Sequence, residues 1–322
     1  MLSSSSSCFE DCTLFSSFPN GKVTVSTPNL HMCRIGYIEE VAALIDLNMT
    51  IHFKHNKGKY KVELQGLDSL ACIEKDGYQH LLAYVMWERE LILESCHKLT
   101  TCFPSDMKNR LLFQHLEQLY VEDCECLRVI FESNDFGGTE LSSMRLSSLP
   151  KLKYIWRGHP GPLSSFTNLK SLHIKECHDM KFVFPNVSVA MSLSRLRSLT
   201  VKKCNQMEEI IQKENVENSF LSKEDKVIFP ELYKIVLKKL PELSCFCKSS
   251  FRYELSSCEQ LNIYECPKMK IFCTGTLCAP QLEYFRVEGM ECDVDENINE
   301  VIQGRQHGII YYEAYDMEDS SS

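Results

Sequence analysis

The feature that most limits how this chain folds is a spacing. Leu116, Leu119, Val121, Cys124, Leu127 and Ile130 set apolar side chains at intervals of three, two, three, three and three residues. The same offsets return in LKSLHIKECHDMKFV from Leu169, in LRSLTVKKCNQMEEI from Leu196 and in CEQLNIYECPKMKIF from Cys258. Weaker copies start at Leu141, near Leu232 and at Leu282, and upstream at Leu30, Val62 and Leu91. The two-residue step belongs to an extended segment, in which both anchors point into one interior and the residue between them points out. The three-residue steps that follow require a bend and a loose turn that carries the chain across the back.

First anchors at 30, 59, 88, 116, 141, 169, 196, 229, 258 and 282 give a period mostly inside the 20 to 29 residues of leucine-rich repeats. One such coil cannot bury its own apolar side, so coils must stack, about ten of them, with their extended segments forming one parallel sheet. The expected fold class is therefore an α/β repeat, a leucine-rich-repeat solenoid with the sheet on its concave face and a mostly irregular convex side. Its expected span is 30–290, with 1–29 as a flexible or capping segment and 291–322 as an acidic tail. Cysteine at the fourth anchor (Cys124, Cys177, Cys204, Cys266) is small enough to pack at the bend while its thiol donates weakly to a nearby carbonyl.

Charge narrows the partner classes less than its total suggests. Of the net −9, the stretch from Glu291 onward supplies −8, nine acids against Arg305, so the body is close to neutral. No apolar run approaches the roughly 18 residues of a membrane helix, and MLSSSSSCFEDC lacks the basic start and apolar core of a secretory signal. The expectation is a cytoplasmic or nuclear chain, reaching a membrane only through partners. The 17 cysteines are then free thiols, and the acceptor sequences at Asn48 and Asn186 stay unmodified.

LRSLTVKKCNQMEEII, the interleaved LPKLKYIW and LPEL units, and above all LSSLPKLKYIWRGHPGPLSSFTNLKSLHIKEC carry a family resemblance. They resemble the C-terminal leucine-rich-repeat region of plant nucleotide-binding leucine-rich-repeat disease-resistance proteins of the coiled-coil subclass, from about Leu91 to Met290. The resemblance implies a curved solenoid of plant innate immunity that senses pathogen effectors or guarded host proteins and restrains a nucleotide-binding domain, in cis or in trans. A phosphate loop of the form G-x-x-x-x-G-K-[ST] is not present; Gly21-Lys22 and Gly58-Lys59 are followed by valine and tyrosine. The alternative reading is a stand-alone repeat adaptor, for example the substrate-binding part of a ubiquitin ligase, or a truncated decoy.

Outward residues of the extended segments segregate by charge. Glu90, Glu94, Glu122 and Asp123 fall on the third and fourth copies, whereas Lys175, Lys202, Lys203, Lys234, Lys238 and Lys239 fall on the sixth to eighth. Several ammonium groups within a Debye length make a positive patch suited to an acidic protein partner, against the alternative of a solvated face balanced by Glu176 and loop acids. Tyr120, Tyr264 and Tyr284 sit between anchors and are interface candidates as well as ordinary strand formers. Trp87 and Trp156 are expected to pack. The adjacent pairs Cys96-His97 and Cys177-His178 diverge on a strand-to-turn segment and make no nucleophile and base. Neither an enzyme, a cofactor, a metal site nor a nucleic-acid module is expected.

Overall fold

A computed structural model describes residues 50–56, 59–65, 89–103, 116–132, 139–157, 166–213, 226–292 and 297–306. The chain divides into two compact units with the boundary between Leu169 and Lys170. Both are leucine-rich-repeat solenoids built on parallel sheets.

In the first unit, β1 (Thr50–Asn56) and β2 (Lys59–Gln65) form an antiparallel hairpin, and β3 (Glu90–Glu94) continues the sheet in parallel from β2. A short β4 (Thr101–Phe103) crosses the back before β5 (Gln118–Glu122), β6 (Val129–Phe131), β7 (Ser143–Ser147) and β8 (Tyr154–Trp156) repeat the alternation. Register aligns Leu91, Leu119 and Met144 in one row and Leu93, Val121 and Leu146 in the next. All six are buried, so the two-residue step sends both anchors inward as its geometry requires. The copy expected from Leu30 lies outside the described residues, and the edge of β2 that a preceding coil would need is occupied by β1.

The second unit runs through β9 (Ser171–Lys175), α1 (Val187–Ser192), β10 (Ser198–Lys202), β11 (Glu209–Ile211), β12 (Lys226–Ile228), β13 (Lys234–Lys238), β14 (Cys245–Cys247) and β15 (Arg252–Glu254). It closes with β16 (Gln260–Tyr264), β17 (Leu277–Cys278), β18 (Tyr284–Val287), β19 (Met290–Cys292) and α2 (Ile298–Gln306). Strands β9, β10, β13, β16 and β18 are parallel neighbours in that order, with Leu172, Leu199, Ile235, Leu261 and Phe285 in one buried row. This register corrects one coil. Ile235 pairs with Leu199, so the first anchor is Leu232 rather than Phe229, and the preceding coil is correspondingly longer.

The back is more regular than expected. In place of an irregular convex side, the first unit carries the parallel ladder β4–β6–β8. The second carries β11–β14, extended by bridges at Phe184 and Cys273, and a third run, β12–β15–β17. Phenylalanines stack behind each unit. Phe103 lies over Phe131 at 5.0 Å and 14°, Phe246 over Phe272 at 4.7 Å and 11°, and Trp156 packs edge-on to Phe166. Burial of such rings is the largest apolar contribution per residue available to a thin coil.

The bend after each main strand is a fixed device rather than a loose turn. Ser95, Asp123, Ser148, Glu176, Lys203, Lys239 and Glu265 all have φ between 53° and 57°, a left-handed conformation that costs an L-residue about 1–2 kcal/mol. Tertiary hydrogen bonds hold it: the N–H groups of Ser95, Asp123, Glu176, Lys203 and Lys239 donate to the carbonyls of Glu122, Ser147, Lys202, Lys238 and Tyr264 on the neighbouring coil, at 2.9–3.2 Å. The fourth anchor follows, and its carbonyl accepts from the N–H of the fifth, as in Leu127 to Cys124 at 3.2 Å and Met269 to Cys266 at 3.0 Å. A three-residue step between anchors is thus a hydrogen-bonded β-turn, into which Pro150, Pro241 and Pro267 fit with their preset φ. The cysteine thiols act as expected from sequence: Cys96, Cys124, Cys177, Cys204 and Cys266 each donate to the carbonyl two residues back at 3.3–3.6 Å.

The segment expected as an acidic tail from 291 begins as folded structure. β18 and β19 are joined by the two-residue turn Glu288-Gly289, both at positive φ (52° and 77°), which matches the right-handed twist of a hairpin. The Glu288 carboxylate accepts from the N–H groups of Glu265 and Cys266 at 3.0 and 3.5 Å, taking the part that a further coil's carbonyl plays elsewhere. On the back, the Asn299 amide at the start of α2 accepts from Phe272 N–H at 2.7 Å and donates to the Cys273 carbonyl at 3.0 Å. Val301 and Ile302 are buried beneath the helix. Apolar positions at 298, 301 and 302 and the Asn299 amide together seat residues 297–306 against the last coil, which net charge alone did not reveal.

Candidate protein-interaction surface

Alternation in a strand leaves three outward positions on each five-residue strand, and parallel register lines them up into rows across the sheet. In the second unit the last outward position forms the row Lys175, Lys202, Lys238 and Tyr264. Backbones of adjacent strands lie about 4.8 Å apart, so the three ammonium groups share one Debye length. Lys234 stands at the opposite end of β13, in register with Ser198 and Gln260. The structure therefore brings Lys175, Lys202 and Lys238 together and sets Lys234 apart from them.

Lys203 and Lys239 belong to a different row, the left-handed bend, and their charges are matched there. Lys203 Nζ lies 3.0 Å from Glu176, and Lys239 Nζ lies 3.7 Å from Glu265. The balancing role that sequence gave to Glu176 is met at Lys203. Lys238 Nζ sits over the Tyr264 ring, 5.0 Å from its centroid, a cation–π contact that leaves the positive charge unneutralised. A Cβ added at Gly289 would come into ordinary contact with the same tyrosine ring. Tyr284 is 48% exposed at the first outward position of β18.

The first unit presents the opposite sign at the equivalent places. Glu94 and Glu122 are in register at the last outward position, and Asp123, at the bend, accepts from the Ser95 hydroxyl at 3.1 Å. Tyr120 is outward and donates its hydroxyl to Gln118 Oε1 at 2.6 Å, while the guanidinium of Arg145 lies over its ring at 5.6 Å. Arg145, like Arg286 opposite Glu291 on the terminal hairpin, was not singled out from sequence, although period-two alternation places both on the outward face.

The cysteines belong to the interior. Among the described residues eleven are buried, with Cys126 partly exposed and Cys278 exposed. Burial pushes the thiols of Cys258, Cys266 and Cys273 up to about 12 and that of Cys245 to about 11. Cys124 is raised by its hydrogen bond with Cys96 and then by burial. Such thiols are protonated at neutral pH and suited to packing rather than nucleophilic attack. Cys96 and Cys177, the cysteines of the two Cys-His pairs, have their thiols turned to backbone carbonyls. Asn186, the acceptor of the second glycosylation sequence, is 5% exposed and caps α1 by accepting from Val189 N–H at 2.8 Å. Trp156 packs in the core as expected, whereas Trp87 lies outside the described residues. Among the described residues no helix is long and apolar enough to cross a membrane.

Comparison with known families places the repeats in a described family. The family described as plant disease resistance protein RPS2-like, leucine-rich repeats, matches residues 86–205 and again 186–288. Neither the curated proteins nor the solved structures contain a match to the chain. The two family segments together run from 86 to 288 of 322 residues, coinciding with the coils from β3 to β18. The chain belongs to the RPS2-like leucine-rich-repeat family of plant disease resistance proteins.

Proposed function

We propose that this chain is a non-catalytic protein-interaction module of plant innate immunity, working in the cytoplasm as the sensing and restraining part of a disease-resistance protein. Its partners are proteins: a pathogen effector, a guarded host protein, or a nucleotide-binding domain in cis or in trans. Stacked repeats offer an extended sheet face whose outward residues vary freely while the buried anchors hold the coil. The observation that carries the reading is the register-aligned row Lys175, Lys202 and Lys238, continued by Tyr264. Facing ammonium groups with an aromatic neighbour suit an acidic protein surface, which they attract at long range and hold through desolvated contacts.

Co-expression in leaf tissue tests it. The chain is co-precipitated with nucleotide-binding domains of RPS2-like resistance proteins, and cell death is scored with and without it. The triple change Lys175→Glu, Lys202→Glu, Lys238→Glu is expected to lower capture at least tenfold and to release restraint, with the fold verified by far-UV circular dichroism. Undiminished capture and unchanged cell death by the folded triple variant would remove this face from the function.

A further inference from the structure

We propose that the lysine row of β9, β10 and β13 is also the docking site of the chain's own acidic segment, residues 307–322, which thereby competes with an acidic partner for the same face.

Three observations converge on it. The first is local electrostatics. The bend lysines Lys203 and Lys239 are matched by Glu176 and Glu265, and Lys238 rests on a neutral ring. Among the described residues Lys175, at the end of the row, has no ion-pair partner. The row therefore keeps positive charge to offer. The second is composition: residues 307–322 contain Glu313, Asp316, Glu318 and Asp319 and no lysine or arginine, and they bring Tyr311, Tyr312 and Tyr315 as well. Extended, the stretch from Asp316 to Asp319 spans on the order of 10 Å, which is also the span of three adjacent strands from Lys175 to Lys238.

The third is attachment. Helix α2 ends at Gln306 and is fixed to the second unit by the Asn299 amide and by buried Val301 and Ile302, so the acidic segment follows directly from the unit that carries the row. Crossing from β18 to β9 covers four strand spacings, about 19 Å. Sixteen residues reach on the order of 50 Å. A tethered ligand acts at an effective concentration near millimolar, so even a weak intrinsic affinity keeps the face occupied.

The test uses the full chain and no partner. Zero-length carbodiimide crosslinking of an equal mixture of ¹⁴N- and ¹⁵N-labelled chain, read by mass spectrometry, should join Lys175, Lys202 or Lys238 to Glu313, Asp316, Glu318 or Asp319 within single-isotope molecules. Crosslinks of Lys203 to Glu176 and Lys239 to Glu265 serve as the internal control. Control crosslinks without any to residues 307–322, or tail crosslinks found only between isotopes, overturn the proposal, the latter in favour of a second copy. In a second measurement, a fluorescent peptide of residues 307–322 should bind the full-length Glu313→Gln, Asp316→Asn, Glu318→Gln, Asp319→Asn variant at least tenfold more tightly than the unaltered chain. Equal binding to both refutes self-docking. Because no partner is present, either failure leaves the partner-binding reading standing.

Discussion

At the last outward position of their main strands, β3 and β5 carry Glu94 and Glu122, whereas β9, β10 and β13 carry Lys175, Lys202 and Lys238. One position on each side of these residues the two units are alike. The anchors before them, Leu93, Val121, Ile174, Val201 and Leu237, are buried, and the bend residues after them share φ near 55°. The contrast teaches where this architecture is constrained. Burial and backbone geometry leave almost no choice at the anchors, while the outward rows are set by neither and are free to be selected for a partner. Four experiments bear on whether the two units really share a construction and differ only at the surface.

The largest effect is expected at alkaline pH. In the second unit the thiols of Cys245, Cys258, Cys266 and Cys273 are raised from about 9 to about 11 or 12 by burial. The folded state holds their protons more tightly than the unfolded state, so the stability they contribute is complete below about pH 9 and is lost as pH rises toward 12. Chemical denaturation at successive pH values should show the midpoint falling through that window. Cys273→Ala should lose less over the same interval, and a parallel loss in both proteins would show that buried thiols are not responsible.

Next in size are the phenylalanine stacks. Phe131→Ala in the first unit and Phe246→Ala in the second each remove a fully buried ring that faces another, and each should cost about 3–5 kcal/mol. Denaturant midpoints measure it. Comparable losses would establish that the backs are built alike; a loss below about 1 kcal/mol on either side would show that its ring sits in a site able to collapse.

The anchors and outward rows of both units were legible in sequence because strand alternation is a strict two-residue period that the leucines and the cysteine mark openly. The misplaced coil at Phe229 shows the limit: an apolar Phe-x-x-Leu step imitates the start of the pattern, and only pairing of Leu199 with Ile235 decides between the registers. The left-handed bends were invisible because glycine and asparagine, the usual markers of positive φ, are replaced there by Glu, Lys, Ser and Asp. What holds those residues is a hydrogen bond to the next coil, a tertiary fact. In the same way, the pairing of Lys203 and Lys239 with acids on adjacent coils and the placing of Lys234 at the far end of β13 depend on register, so the sequence overstated the positive patch by three lysines.

Strain at the bend gives a third, smaller effect. A β-branched side chain is poorly tolerated at φ near 55°, so Ser148→Val and Lys203→Val should each destabilise by about 1–2 kcal/mol, whereas the glycine variants should be neutral or mildly stabilising. Equal midpoints for valine and glycine at either site would mean that the bend relaxes out of the left-handed region in solution.

The smallest effect sharpens the contrast most, since it probes the one row where the units use different chemistry for the same geometry. At the bend, Lys203 pairs with Glu176 as ions 3.0 Å apart, both partly exposed, while Ser95 donates a hydroxyl to Asp123 at 3.1 Å. A double-mutant cycle with alanine at both members should give a coupling of about 0.2–1 kcal/mol for the ion pair. That coupling should shrink as salt rises from 50 mM toward 1 M, because screening acts on two opposed charges. The serine–aspartate cycle should give a coupling of similar size that changes little over the same range, its donor being neutral. If both couplings fall together with salt, the bend in the first unit is held by charge as well, and the division between an acidic face and a basic face would extend to the contacts between coils.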